Sequence, residues 1–178
     1  MTSTEQTIAP APGKSCGDCM LCCKLPALAP LDKPMGKWCV NARPGKGCQI
    51  YESRPAECRA FHCGWLIDAS LGPEWKPDRA KFYIANFPDG NVHLMVDPGA
   101  PGAWKDERYY PTIKIAAARL LEQGKNLFAV IGRRVIVILP EKNIDVGVVP
   151  DGHRVRIEGR IEQGRLDYAA FIEPEARA

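Results

Sequence analysis

The chain has 178 residues, of which 46% are hydrophobic and 25% charged, and its formal net charge is +3. That length suits one domain, or one domain with a small appended module, and the composition is that of an ordinary globular protein. Collagen, coiled coil and wholesale disorder are excluded, and so small a charge gives no electrostatic footprint for a nucleic-acid partner.

In chain order, Met1–Pro10 has neither a basic start nor an apolar core, so no secretory signal is expected. Residues 1–14, which include Ala-Pro-Ala-Pro-Gly, read as a flexible leader. Residues 15–67 hold all eight cysteines, from Cys16 to Cys63, and little hydrophobic periodicity, which is the pattern of a module organised by metal. Residues 68–79 carry Gly72, Pro73 and Pro77 and read as a connector.

Residues 80–178 read as an α+β domain of about six short antiparallel strands and one main helix. Lys81–Phe87 and Asn91–Val96 flank Pro88-Asp89-Gly90, a hairpin signal. Asp106–Tyr110 reads as an exposed connector. Thr112 is the expected N-cap of a helix with Ile113, Ala116, Ala117, Leu120 and Leu121 on its apolar face, ended by Gly124. Asn126–Ile131 with Arg134–Leu139, and Arg154–Glu162 with Arg165–Ile172 around Gln163-Gly164, give two further hairpins. Trp38, Trp65, Trp75 and Trp104 are expected between module and domain. Arg133-Arg134 interrupts the most apolar stretch, Leu127–Leu139, so no membrane association is expected.

These features together point to a cytoplasmic protein, where thiols stay reduced and clustered cysteines serve metal rather than disulfides. The cysteines run Cys16-Gly-Asp-Cys19-Met-Leu-Cys22-Cys23, then Cys39, Cys48, Cys58 and Cys63. Two successive C-x-x-C steps bring sulfurs within reach of one centre. On a helix, Cys16, Cys19 and Cys23 would fall within about 60° and Cys22 would point away. In a ferredoxin-like loop, Cys16, Cys19 and Cys22 would wrap one cluster instead. Both geometries are open at this point.

Pro55 suits the start of a short helix carrying Cys58 and ending near Gly64. His62 stands beside a better sulfur ligand and is expected at the surface. Arg54 and Arg59 are candidates for cofactor contact, through charge-assisted hydrogen bonds to thiolate sulfur.

The run C-x-x-C-x-x-C-C, followed by C-x-I-Y-x-x-R-P-x-x-C-R-x-F-x-C, resembles the cysteine-cluster family described as a zinc- or iron-chelating domain. The likeness spans residues 16–63, about a quarter of the chain, and includes Ile50, Tyr51, Arg54, Pro55, Arg59 and Phe61. By that resemblance Cys16, Cys19, Cys22, Cys23, Cys48, Cys58 and Cys63 are metal-ligand candidates, and Cys39 falls where the family often has a cysteine.

Thiolate ligands suit zinc or an iron–sulfur cluster and disfavour magnesium or calcium. The expectation is a metal-binding protein with zinc or an iron–sulfur cluster as cofactor. Its rivals are an iron–sulfur enzyme or electron carrier, a zinc-stabilised module for a protein partner, and a metal-storage or delivery protein. None of G-x-G-x-x-G, the Walker loop, G-x-S-x-G or H-E-x-x-H occurs. No residue is therefore assigned a catalytic role.

Overall fold

The computed structural model describes residues 9–162 and 165–175. The architecture is mixed α+β, with one five-stranded and two two-stranded sheets and four α-helices among the described residues. The five-stranded sheet runs in chain order: β3 (Phe82–Asn86), β4 (Val92–Val96), β5 (Leu127–Ile131), β6 (Arg134–Ile138) and β7 (Asn143–Val148). The small hairpin β1 (Ala42–Arg43) and β2 (Gly47–Cys48) precedes it, and the long hairpin β8 (His153–Glu162) and β9 (Arg165–Pro174) follows. The expected tip at Gln163-Gly164 lies outside the described residues.

Two features correct the expected antiparallel strands. Strands β4 and β5 pair parallel, Leu94 opposite Ala129. A parallel pair needs a long crossover, and the main helix α4 (Tyr110–Glu122) occupies it. Strand β7 was not expected, because Asn143, Asp145 and Gly147 are poor strand formers. Pairing with β6 holds it in place, across a bulge at Val135/Ile136 and with Arg134 gripping Asp145. Helix α4 also starts earlier than expected. Pro111 lies in its first turn, so Thr112 is inside the helix rather than at its cap, while Gly124 at φ +68° closes the far end.

The sheet is covered on both faces. Phe82, Leu94, Val96, Leu127, Ala129, Ile136 and Ile138 pack with Ile113 and Ala117 of α4. Phe128, Val137 and Leu139 on the opposite face lie under Val155, Ile157, Tyr168 and Ala170 of the long hairpin. Beside them Tyr83, Ala85 and Met95 lie under Leu21, Leu25 and Phe61 of the cysteine segment. Trp65 and Leu66 of α2 (Gly64–Ile67) join the α4-side core, so the cysteine segment straddles β3, an edge strand.

The connector is packed as well. Trp75, Phe82 and Tyr109 meet edge-on with centroids 5.0–5.9 Å apart. Tyr109 is buried and donates its hydroxyl to the Glu74 carbonyl at 2.9 Å, so the run before α4 is partly core rather than an exposed connector. Of the four tryptophans, Trp65, Trp75 and Trp104 are buried in the α4-side core, Trp104 beside Tyr110 within residues 80–178, and Trp38 departs from the expected burial. It is half exposed, with the Lys24 ammonium 5.6 Å from its ring. The described end of the expected leader is seated on α2: Ala11 is buried, its N–H donates to Leu66, and the Lys14 ammonium donates to the carbonyls of Trp65, Asp68 and Leu71. Among the described residues no helix is long and apolar enough to cross a membrane.

His93 on β4 sits between Phe87, at 4.1 Å, and Phe128, at 5.0 Å. Burial lowers its pKa from the ordinary 6.5, against the opposing pull of Asp89. The unfolded chain therefore binds a proton that the folded one resists. The stability held above about pH 6.5 is lost as pH falls from there through the lower folded-state value. In urea titrations stability should fall across that interval, and His93→Gln should flatten the slope; an unchanged slope would remove His93 as its source.

Candidate metal centre

All eight cysteines are free thiols, and all eight line one cavity of about 370 Å³. Four stretches of chain bring them there. Gly17 at φ +51° makes the first turn, in which the Cys19 N–H donates to the Cys16 carbonyl at 2.9 Å. A 3-10 turn, Leu21–Cys23, follows and is anchored by buried Leu21. The continuous helix of the first alternative does not form.

The Cys39 N–H donates to the Cys23 carbonyl at 2.9 Å, and Ala42, whose N–H donates to Cys39, pairs with Cys48 across β1 and β2. Gly47 adopts φ +75°, and a Cβ there would stand 2.5 Å from the Gly17 carbonyl oxygen. Backbone contact between two glycines thus presses the Cys48 hairpin onto the Cys16 turn.

The last two thiols come from a broken helix. One helix from Pro55 to Gly64 was expected, but α1 (Ala56–Ala60) carries Cys58 and stops, and Cys63 is the residue before α2. Phe61 is extended between them, its ring edge-on to Tyr83 at 5.3 Å. Burying that ring against the sheet ends the helix and turns Cys63 back to the cavity. Tyr83, Ala85 and Met95 complete the lining from the sheet.

Two cations share the cavity wall with the thiols. Lys33 is the one buried charged side chain among the described residues, at 6% exposure. Its ammonium donates to the carbonyls of Lys24, at 3.0 Å, Pro26 and Pro34. Burial lowers its pKa, while thiolate charge at Cys39, Cys23, Cys22 and Cys58 acts the other way. The Arg54 guanidinium stacks on Tyr51 at 3.6 Å, and its buried Nε has no hydrogen-bond partner. Neither cation makes a salt bridge among the described residues. Arg59 is exposed on α1, outside the cavity lining, and His62 is also outside it, with Nδ1 3.3 Å from the Ala60 carbonyl.

Sequence reasoning missed Lys33, Tyr83 and Met95. Lys33 offers only a weak signal, a lysine between Leu31 and Pro34, and the sheet residues offer none. The thiols stand around the space rather than at a point: among the described residues no three Cys, His, Asp or Glu side chains group as they would to hold an ion. Comparison of the chain with family models, curated proteins and solved structures gives no match.

Thiol acidity differs sharply across the cavity. Cys23 accepts a hydrogen bond from Cys22 and lies near Lys33 and Arg54, which brings its pKa down to about 7 despite burial. The same hydrogen bond, then burial, pushes Cys22 up. Burial raises Cys19 to about 11, and raises Cys58 and Cys63 as well. Since the thiolate is the nucleophile, reduced metal-free protein treated briefly with iodoacetamide at pH 7 should be alkylated first at Cys23. Peptide mass mapping that found Cys19 first would contradict this order.

The contact between Gly47 and Gly17 yields a second expectation. Gly47→Ala places a Cβ against backbone at a positive φ, a combined strain of about 1–3 kcal/mol. Thermal unfolding should show a lower midpoint, whereas Gly45→Ala, where a Cβ would meet nothing within 4 Å, carries only the strain of its φ of +68° and should cost less.

Proposed function

We propose that this chain is a metal-binding protein whose clustered thiolates hold an iron–sulfur centre in the cavity. The observation that carries this reading is the convergence of all eight thiols on one space of about 370 Å³. The donor set is soft and anionic, as iron–sulfur clusters and zinc require. The charge balance agrees with it: Lys33 and Arg54 are held in the wall without acidic partners, and an anionic metal–thiolate centre would supply their counter-charge.

The spread of the thiols around the cavity supports a cluster over a single zinc ion. A single zinc ion at about 2.3 Å from each sulfur draws four thiolates to within roughly 4 Å of one another. A cluster interposes iron and sulfide, and so reaches thiols spread around a wider space. The resemblance of residues 16–63 to a zinc- or iron-chelating family supports metal binding without choosing the metal. Bound here, such a cluster would supply one-electron redox chemistry. The protein's own contribution is to hold the thiols in place, to cover them with Leu28, Leu31, Ile50 and Met95, and to place Lys33 and Arg54 beside them.

Protein purified without oxygen should contain iron and acid-labile sulfide and absorb broadly near about 400 nm. Stoichiometric zinc without a visible band would instead favour a zinc-stabilised fold that presents a surface to a protein partner. Protein that arrives empty and takes up neither metal would overturn the reading.

A further inference from the structure

We infer that the eight thiols divide into two sets of four, Cys16, Cys19, Cys22 and Cys63 in one and Cys23, Cys39, Cys48 and Cys58 in the other, each of which its own metal centre would draw together from the spread positions around the cavity. The inference rests on the metal–thiolate reading above and adds to it the number of centres and the membership of each.

The first set is defined by a second, narrower recess adjoining the main cavity. Cys16, Cys19, Cys22 and Cys63 line it together with Trp65, Leu66, Pro77 and Tyr83, and none of the other four cysteines reaches it. Cys16 and Cys63 also pack against the α4-side core. This set is walled by aromatic and aliphatic side chains of the main fold.

The second set is defined by the backbone. Cys39 donates to Cys23 and accepts from Ala42, and Ala42 is opposite Cys48. Cys23 and Cys39 pack together with Met20, Leu31 and Ala42, apart from the sheet. Cys58 on α1 lines the main cavity but not the recess, and has the Cys23, Cys39 and Cys48 thiols and Arg54 near it. Lys33 and Arg54 both lie near Cys23, and of the four thiols acting on Lys33 three, Cys23, Cys39 and Cys58, belong to this set, the fourth being Cys22.

The dividing line falls between consecutive residues. Cys22 and Cys23 occupy one 3-10 turn, where successive side chains diverge by about 120°. The two sulfurs touch through the Cys22–Cys23 hydrogen bond, yet Cys22 lines the core recess while Cys23 packs with Cys39. The C-C dipeptide is then a shared wall between two centres, which explains why two adjacent thiols are both turned inward. Each set also joins distant parts of the sequence. The first ties the Cys16 turn to the start of α2, and the second ties the 3-10 turn to the small hairpin and α1.

Native mass spectrometry of the full-length protein, reconstituted from the metal-free form with ferrous iron and sulfide or with zinc alone, tests the division. Two equal mass increments per chain, appearing in sequence, are expected, and a single increment at saturation would overturn the proposal. Wild-type protein that gains no metal would instead remove the metal-binding reading itself, and the division with it. Substitutions then assign the sets. Cys63→Ser and Cys58→Ser should each halve the metal per chain, and the double variant should lose both centres. The metal retained by each single variant doubles as the control for folding. If one substitution empties the protein while the other leaves it full, the thiols serve one centre and the division is wrong.

Discussion

An edge strand with both faces buried is the constraint on which this structure turns. β3 alternates Phe82 toward α4 with Tyr83 toward the cysteines, and both side chains are almost wholly removed from water. Phe82 locks into the aromatic trio with Trp75 and Tyr109, and Tyr83 receives Phe61. A slip of one residue in β3 would exchange these two roles and pull the cavity apart. The site is therefore held by the same strand register that holds the core, and it is not an independent appendage.

Charge is the second constraint. Hydrocarbon tolerates neither eight thiolates nor two cations alone, but it tolerates them together once hydrogen bonds and opposite charges are supplied. Without metal, burial keeps Cys19, Cys58 and Cys63 protonated and leaves Lys33 leaning on three carbonyls. Anionic ligation in the cavity would satisfy both sides of that balance. The half-buried Lys24–Asp97 pair, at 2.6 Å, ties the cysteine segment to the residue after β4 and keeps the two parts in register.

Much of this was legible in the sequence because local chemistry dictates it. The turn residues Pro88-Asp89-Gly90 and Gly132 sit between alternating apolar runs, and the hairpins formed where those signals stood. Gly17 and the C-x-x-C steps made the first turn. The unreadable parts depend on partners far along the chain. Nothing local announces that Phe61 will break a helix by packing on Tyr83, or that Ala11 will bond to Leu66. The parallel β4–β5 pairing and the poor strand former β7 are likewise set by neighbours. Lys33 was hidden because its role exists only once four separate stretches have folded around it.

The floor of the cavity is made last. Tyr83 and Met95 lie downstream of every cysteine, and β4 gains its second neighbour only when β5 has been synthesised. At ribosomal speeds of about 5–20 residues per second, the thiols emerge several seconds before the surface that encloses them. During that interval eight cysteines are open to oxidation, to mispairing and to any soft metal at hand. The order of the chain thus makes the newborn protein most accessible to metal just when it is least protected from oxygen. If the site takes metal as proposed, maturation is a race between filling the site and oxidising it.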